Sequence, residues 1–156
     1  MTMMKENQDQ KYMQMALELA GEAAECGEIP VGALIVQNDR VIAKAHNLRE
    51  TKRLATAHAE LLAVEEACRV LSQKWLSDCT LYVTLEPCPM CMGAIVNSRI
   101  KRVVFGAKDS KAGSCGSVFN FNDYPLNHKP EIIGGIMEDE GRALLSDFFA
   151  EKRKNK

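Results

Sequence analysis

Two short stretches constrain this chain more than anything else in it: Thr56-Ala57-His58-Ala59-Glu60 and Glu86-Pro87-Cys88-Pro89-Met90-Cys91. Cys88 and Cys91 are three residues apart, so on one helical turn their sulfurs face the same way. Pro87 precedes the pair, and proline is at home in the first turn of a helix. A helix N-terminus also favours the thiolate, the form of cysteine that binds zinc. His58 supplies a third ligand, so any fold must bring the two stretches together. Three protein ligands with an open fourth position is the pattern of catalytic zinc, whereas structural zinc closes its tetrahedron with a fourth side chain. Glu60, two residues from His58, is then a carboxylate placed to move protons without being a ligand.

The rest of the chain narrows the class. At 156 residues the expectation is one zinc-dependent domain over residues 1–156 with a real core. No apolar run reaches the length of a membrane span, and the polar start, Met1 to Lys11, shows no secretory h-region, so the expected location is the cytoplasm, away from membranes. Six cysteines in that setting read as thiols and metal ligands, not a disulfide framework. Cys26, Cys68, Cys79 and Cys115 lack ligand spacing and read as inert. The net charge of −1 makes no case for nucleic acid. Its distribution says a little more. Residues 1–98 carry 9 Lys and Arg against 13 Asp and Glu (−4), and residues 99–156 carry 11 against 8 (+3), with basic residues crowding the end of the chain.

Periodicity gives the elements. A helix is predicted from Asp9 (Met13, Ala16, Leu17, Ala20, Ala24), stopping at Gly27. Strands Val31 to Val36 and Val41 to Ala45 flank the turn residues Asn38-Asp39 as a hairpin. His46 to Ala55 reads as a polar loop, and Thr56 as the cap of a helix running toward Leu71. Thr80 to Leu85 is a strong strand signal, followed by the cysteine helix to about Asn97 and a strand at Arg102 to Phe105, together a parallel βαβ unit. Lys108 to Asn127 is a long loop, and loops of that length are usually functional. Glu131 to Met137 reads as a last strand, weakened by Gly134-Gly135. A closing helix from Glu138 is expected to bury Leu144, Leu145, Phe148 and Phe149. The expected architecture is a three-layer α/β domain on a mixed sheet of about five strands.

Several blocks, in order along the chain, resemble the bacterial tRNA-specific adenosine deaminases of the cytidine-deaminase-like superfamily. They are Glu28-Ile29-Pro30-Val31-Gly32-Ala33, His46-Asn47, Thr56-Ala57-His58-Ala59-Glu60, Thr84-Leu85-Glu86-Pro87-Cys88, Asn127-His128 and Leu145-Ser146-Asp147-Phe148-Phe149. The chain departs from the family pattern at Ala55, where proline is usual, and at Lys129, where arginine is common. The resemblance implies an α/β/α sandwich, a homodimer, one zinc per subunit and hydrolysis of adenosine to inosine at the wobble position of an anticodon stem-loop. In that chemistry a zinc-activated hydroxide attacks adenine C6 while Glu60 carries the protons. The resemblance places Asn47 in the purine pocket, with Ala57 beside it, and the loop after Lys108 on the RNA face. Lys111, Asn127 and His128 are candidate RNA contacts, and Asp109 a candidate acceptor for a ribose 2′-OH. Glu86 reads as a residue that holds neighbouring backbone or basic groups, and His46 as a loop histidine. Two other readings compete: a zinc deaminase of free guanine, cytosine or a nucleotide, and a nucleic-acid-binding module with a closed zinc site completed by Cys79 or Cys115.

Overall fold

The computed structural model describes residues 2–155. Its strands are β1 (Gly32–Gln37), β2 (Arg40–His46), β3 (Cys79–Leu85), β4 (Arg102–Ala107) and β5 (Glu131–Ile133). They form one sheet in the order β2-β1-β3-β4-β5. The first two pairings, β2 with β1 and β1 with β3, are antiparallel, and the last two are parallel. Asn38 and Asp39 close the β1–β2 hairpin with φ of 50° and 60°, the left-handed pair that a two-residue turn matched to strand twist requires.

The helices are α1 (Thr2–Glu25), α2 (Arg49–Lys52), α3 (Ala59–Leu71), α4 (Pro89–Asn97) and α5 (Glu138–Lys154). Both faces of the sheet are covered, which is why β1, β3 and β4 read as nearly continuous apolar runs. Alternate side chains serve opposite layers. Ala33, Ile35, Leu81, Val83, Val103 and Phe105 pack with Ala59, Ala63 and Ala67 of α3 and Met92 and Ile95 of α4. Leu34, Val36, Tyr82 and Val104 pack with Tyr12, Met13, Ala16 and Leu17 of α1, and Leu144 of α5 lies against that cluster. The small residues of α3 let it lie close to the sheet. On the other side α1 comes closer still: a Cβ on Gly32 would sit 2.1 Å from the Ala16 carbonyl oxygen.

A buried polar cluster fixes α1 in register. Arg102 donates from Nη1 and Nη2 to the two carboxylate oxygens of Asp9 (2.9 and 2.7 Å), and the Tyr82 hydroxyl donates to Asp9 Oδ1 (2.7 Å). All three residues are buried. The pair ties α1, at the point where it first becomes buried, to the start of β4.

The structure departs from the sequence reading at several elements. Helix α1 begins at Thr2, well before Asp9. The segment read as polar loop contains α2. Thr56 is exposed and does not cap α3, which starts at Ala59 with His58 in the cap position. Strand β5 stops at Ile133, just before Gly134-Gly135. The long loop holds a 3₁₀ turn at Phe121–Asp123 and a bridge between Cys115 and Asn120. Phe148 is only half-buried and Phe149 is 41% exposed, because the last turns of α5 run past the edge of the sheet's apolar cluster.

Candidate active site

The site lies at the carboxyl ends of the parallel strands β3 and β4, the usual place for a ligand crevice in such a sheet. Two helices start there. His58 occupies the cap position of α3 and Cys88 that of α4; Pro89 follows at the first helical position and Cys91 sits one turn in. The proline that fills the helix start is thus Pro89, between the two cysteines, and not Pro87. With both N-termini directed at the same point, their dipoles favour thiolate there.

His58 Nδ1 lies 3.6 Å from Cys88 Sγ and 3.5 Å from Cys91 Sγ. Zinc bonds of about 2.3 Å to sulfur and about 2.0–2.1 Å to nitrogen, opened to a tetrahedral angle, span roughly 3.5 Å between donors. The three atoms therefore fit a zinc ion without rearrangement. The group has three members among the described residues, all within 4.8 Å of one another, and neither Cys79 nor Cys115 joins it. Of the two thiols Cys88 is the more acidic: hydrogen bonding from Cys91 and the contact with His58 pull its pKa down. Cys91, on the other side of that bond and fully buried, is pushed up. Cys79 and Cys115 are raised by burial to about 12 and are inert thiols.

A cavity of about 150 Å³ opens onto His58 and Cys88. Ile29, Val31, Leu85 and Ala112 give it apolar walls, while Asn47, Glu60, Arg49, Glu86 and Asp109 give it polar ones. Glu60 is buried, and burial raises its carboxyl pKa to about 7 against the smaller opposing effects of its own backbone N–H and His58. A larger groove of about 590 Å³ runs along the edge strand β2, but it contains none of the three donors.

Asn47 does two things at once. Its Oδ1 accepts the Ala59 N–H (2.8 Å), satisfying the first free donor of α3, and its Nδ2 donates to the Ile29 carbonyl (3.3 Å). The helix that carries His58 and Glu60 is capped from a distant loop. Ala57 is buried beside His58 and accepts the Leu48 N–H (3.0 Å) on its carbonyl, but is not part of the cavity wall.

The structure gathers His58, Glu60, Cys88, Cys91, Asn47 and Asp109 at this one place. Asp109 turns its Oδ1 back onto the Lys111 and Ala112 N–H groups (2.9 and 3.1 Å). Lys111, Asn127 and His128 do not line the cavity. Lys111 and Asn127 are exposed, and the His128 ring meets the Ile100 carbonyl through Nε2. His46 closes β2 half-buried, its Nδ1 2.9 Å from the Asn47 carbonyl. The sequence did not single out Arg49 or Ile29 as wall residues, because nothing in a loop's composition says which way it folds back.

Known proteins are similar to this chain in sequence and fold. The MafB19-like deaminase family model matches residues 7–153. The tRNA-specific adenosine deaminase of Bacillus subtilis is 50% identical over 150 residues, spanning 96% of this chain and 93% of that protein. That of Haemophilus influenzae is 47% identical over 150 residues, spanning 95% and 87%. A solved structure from work on A-to-I editing by tRNA:A34 deaminases at the wobble position superposes with a TM-score of 0.84 at 40% identity, covering 86% of this chain and 99% of that one. A guanine deaminase from Bacillus subtilis shares the fold more loosely, with a TM-score of 0.63 at 35% identity over 92% of each chain. With its three-donor zinc centre, buried glutamate and near-complete coverage, this chain belongs to the MafB19-like deaminase family and, within that fold, to the tRNA-specific adenosine deaminases.

Proposed function

We infer that this chain converts adenosine to inosine at the first anticodon position of tRNA by hydrolytic deamination. The observation that carries the reading is the pairing of a three-donor centre with a buried carboxylate in one small pocket. His58 Nδ1, Cys88 Sγ and Cys91 Sγ would hold the zinc. When bound there, zinc lowers the pKa of water toward about 7 and so supplies a nucleophile at neutral pH.

The chain's own groups do the rest. Glu60, with its proton affinity raised into the neutral range by burial, takes a proton from the attacking water and gives it to adenine N1. As ammonia leaves C6, the same carboxyl carries the second proton to the departing nitrogen. Asn47 uses one amide hydrogen on Ile29 and one lone pair on Ala59, so a second hydrogen and a second lone pair are free for the edge of the base. Ile29, Val31, Leu85 and Ala112 offer apolar contact to the ring faces and exclude water.

A target base must leave its stack to enter so small a site, and an anticodon loop makes that cheap. Lys111, Asn127 and His128 serve the RNA outside the pocket, and Asp109 Oδ2, free of its own turn, faces a 2′-OH. The whole chain works as one deaminase domain, as a homodimer, in the cytoplasm; among the described residues no helix is long and apolar enough to cross a membrane.

The test is to incubate zinc-loaded protein with an anticodon stem-loop bearing the wobble adenosine, and separately with free guanine, adenine and cytosine. Inosine is expected from the stem-loop alone, and Glu60→Gln should abolish it while zinc content and RNA binding persist. Turnover of a free base with none on the stem-loop would replace this reading with the small-molecule one.

A further inference from the structure

Part of the cavity wall, Asp109 and Ala112, is a loop, and a loop is a poor wall unless something fixes it. Glu86 lies against it, 2% exposed, between the end of β3 and Cys88, and itself borders the cavity. Its Oε1 accepts the Asp109 N–H (3.0 Å) and the Ser117 hydroxyl (2.5 Å). Its Oε2 accepts the Cys115 N–H (2.9 Å) and the Ser117 N–H (3.1 Å). A carboxylate has about four acceptor sites, and all four are taken by one loop. Nothing remains for a base, a proton or a metal, and no salt bridge among the described residues includes it.

A second observation comes from Gly113, on the loop's inner side. A Cβ there would lie 2.5 Å from Glu86 Oε1 and 2.4 Å from the Asp109 carbonyl oxygen. The loop is thus drawn onto the carboxylate so closely that only glycine fits between. Ser114 N–H adds one bond to the Pro87 carbonyl (2.9 Å), in the same ligand-bearing segment. Of the two residues that the loop contributes to the cavity, Asp109 is itself one of these attachments and Ala112 adjoins Gly113.

We propose that Glu86 is a positioning residue that holds the Asp109–Ser117 loop in place as one wall of the substrate pocket, and so sets the fraction of enzyme able to receive the flipped nucleotide. The proposal rests on the adenosine reading of that pocket. Its consequence is specific. A loosened loop lowers the population of the binding-competent state, which raises the apparent dissociation constant in proportion. Once substrate has reordered the loop, Glu60 and the three donors stand where they stood before, so the saturated rate is little changed.

Two substitutions perturb the contact from opposite sides. Glu86→Gln keeps size but swaps one acceptor for an NH₂ group that faces N–H donors. Gly113→Ala keeps the carboxylate and pushes the loop away. Each variant, zinc-loaded, is measured by single-turnover deamination of the stem-loop across enzyme concentration and by amide hydrogen exchange in its absence. Expected in both are wild-type zinc content, exchange at Asp109, Cys115 and Ser117 faster by about tenfold or more, a half-saturating concentration raised by about tenfold, and a plateau rate within about threefold. Unchanged exchange, or faster exchange with unchanged half-saturation, overturns the proposal. A fallen plateau with unchanged half-saturation also overturns it, by assigning Glu86 to the chemical step. If Glu86→Gln does not fold, Gly113→Ala and the milder Ser117→Ala decide by the same criteria. A wild-type protein that makes no inosine sinks the functional reading instead, and the exchange arm still reports on the loop.

Discussion

The Asp9–Arg102–Tyr82 cluster allows the magnitude of one perturbation to be worked out from the structure. Arg102 is 9% exposed, and among the described residues its one other acidic partner is Glu131 at 3.7 Å from Nε, whose carboxylate is largely in solvent. Asp9→Ala therefore leaves a buried guanidinium nearly alone, which costs about 3–5 kcal/mol. It also strips the Tyr82 hydroxyl of its acceptor. Tyr82→Phe removes only the single bond to a charged acceptor, about 1.5–3 kcal/mol. Removing both charges together is different. Asp9→Leu with Arg102→Met and Tyr82→Phe leaves no orphan and keeps the volume apolar, so its cost should be near zero, within about 1 kcal/mol. In a chain of 156 residues the Asp9→Ala loss corresponds to a fall in Tm of roughly 10 °C. Urea unfolding of the zinc-saturated proteins, followed by far-ultraviolet circular dichroism and by the lone tryptophan, Trp75, measures all three. A loss under about 1 kcal/mol for Asp9→Ala would refute the reasoning, since it requires that the pair be dry. So would a triple variant as damaged as Asp9→Ala.

Three further outcomes are expected. His58→Ala and Cys88→Ala should each lose zinc and stability together, because ligation is coupled to folding; stoichiometric zinc by metal analysis in both variants would falsify the ligand assignment. Glu28 is held below the ordinary carboxylate range: burial alone would raise it, but the Thr51 hydroxyl and the Thr51 and Glu50 N–H groups overcome that. Its folded pKa is the lower one, so its stabilisation is full above the unfolded value of about 4.3 and is lost as pH falls through the folded pKa. The gap in unfolding free energy between wild type and Glu28→Gln should thus be constant above pH ~5 and shrink below it, and a gap independent of pH would count against the bonding. Finally, the target adenosine placed inside a continuous duplex should react about 10²-fold more slowly than in a loop, the rate equivalent of a few kcal/mol of unpairing; equal rates would argue against eversion as the gate.

What was legible in the sequence follows a physical line. The metal donors were legible because zinc demands particular residue types and a helical turn demands their spacing. The sheet was legible because strands buried on both faces are continuously apolar. The start of α1 was not, since its first turns are exposed and carry no apolar stripe. The cap of α3 was assigned to the adjacent Thr56, but the structure uses Asn47, and no local pattern encodes a partner across a loop. Glu86 was legible as a residue that holds neighbouring backbone, but the segment it holds was not, and Glu28 was opaque for the same reason. Their partners are mostly backbone N–H groups, which every residue has, so composition leaves no trace of them.

Three glutamates are nearly sealed from solvent around this pocket, and what separates their tasks is the count of donors each one meets. Glu28 accepts three hydrogen bonds and Glu86 four, and in both the donors outweigh the cost of burial, so the anion is the resting form. Glu86 has no acceptor capacity to spare, and neither has proton affinity to spare at neutral pH. Each instead anchors a segment that reaches the cavity, Arg49 by way of α2 in one case and Asp109 with Ala112 in the other. Glu60 lacks such a set of donors, burial prevails, and its proton affinity rises into the neutral range. A carboxyl can exchange protons efficiently only when neither form is strongly preferred at working pH. The same side chain therefore serves as an anchor where N–H groups converge on it and as a proton carrier where they do not. Supplying Glu60 with extra donors, for instance by a hydroxyl introduced beside it, should make it a poorer catalyst even with zinc in place.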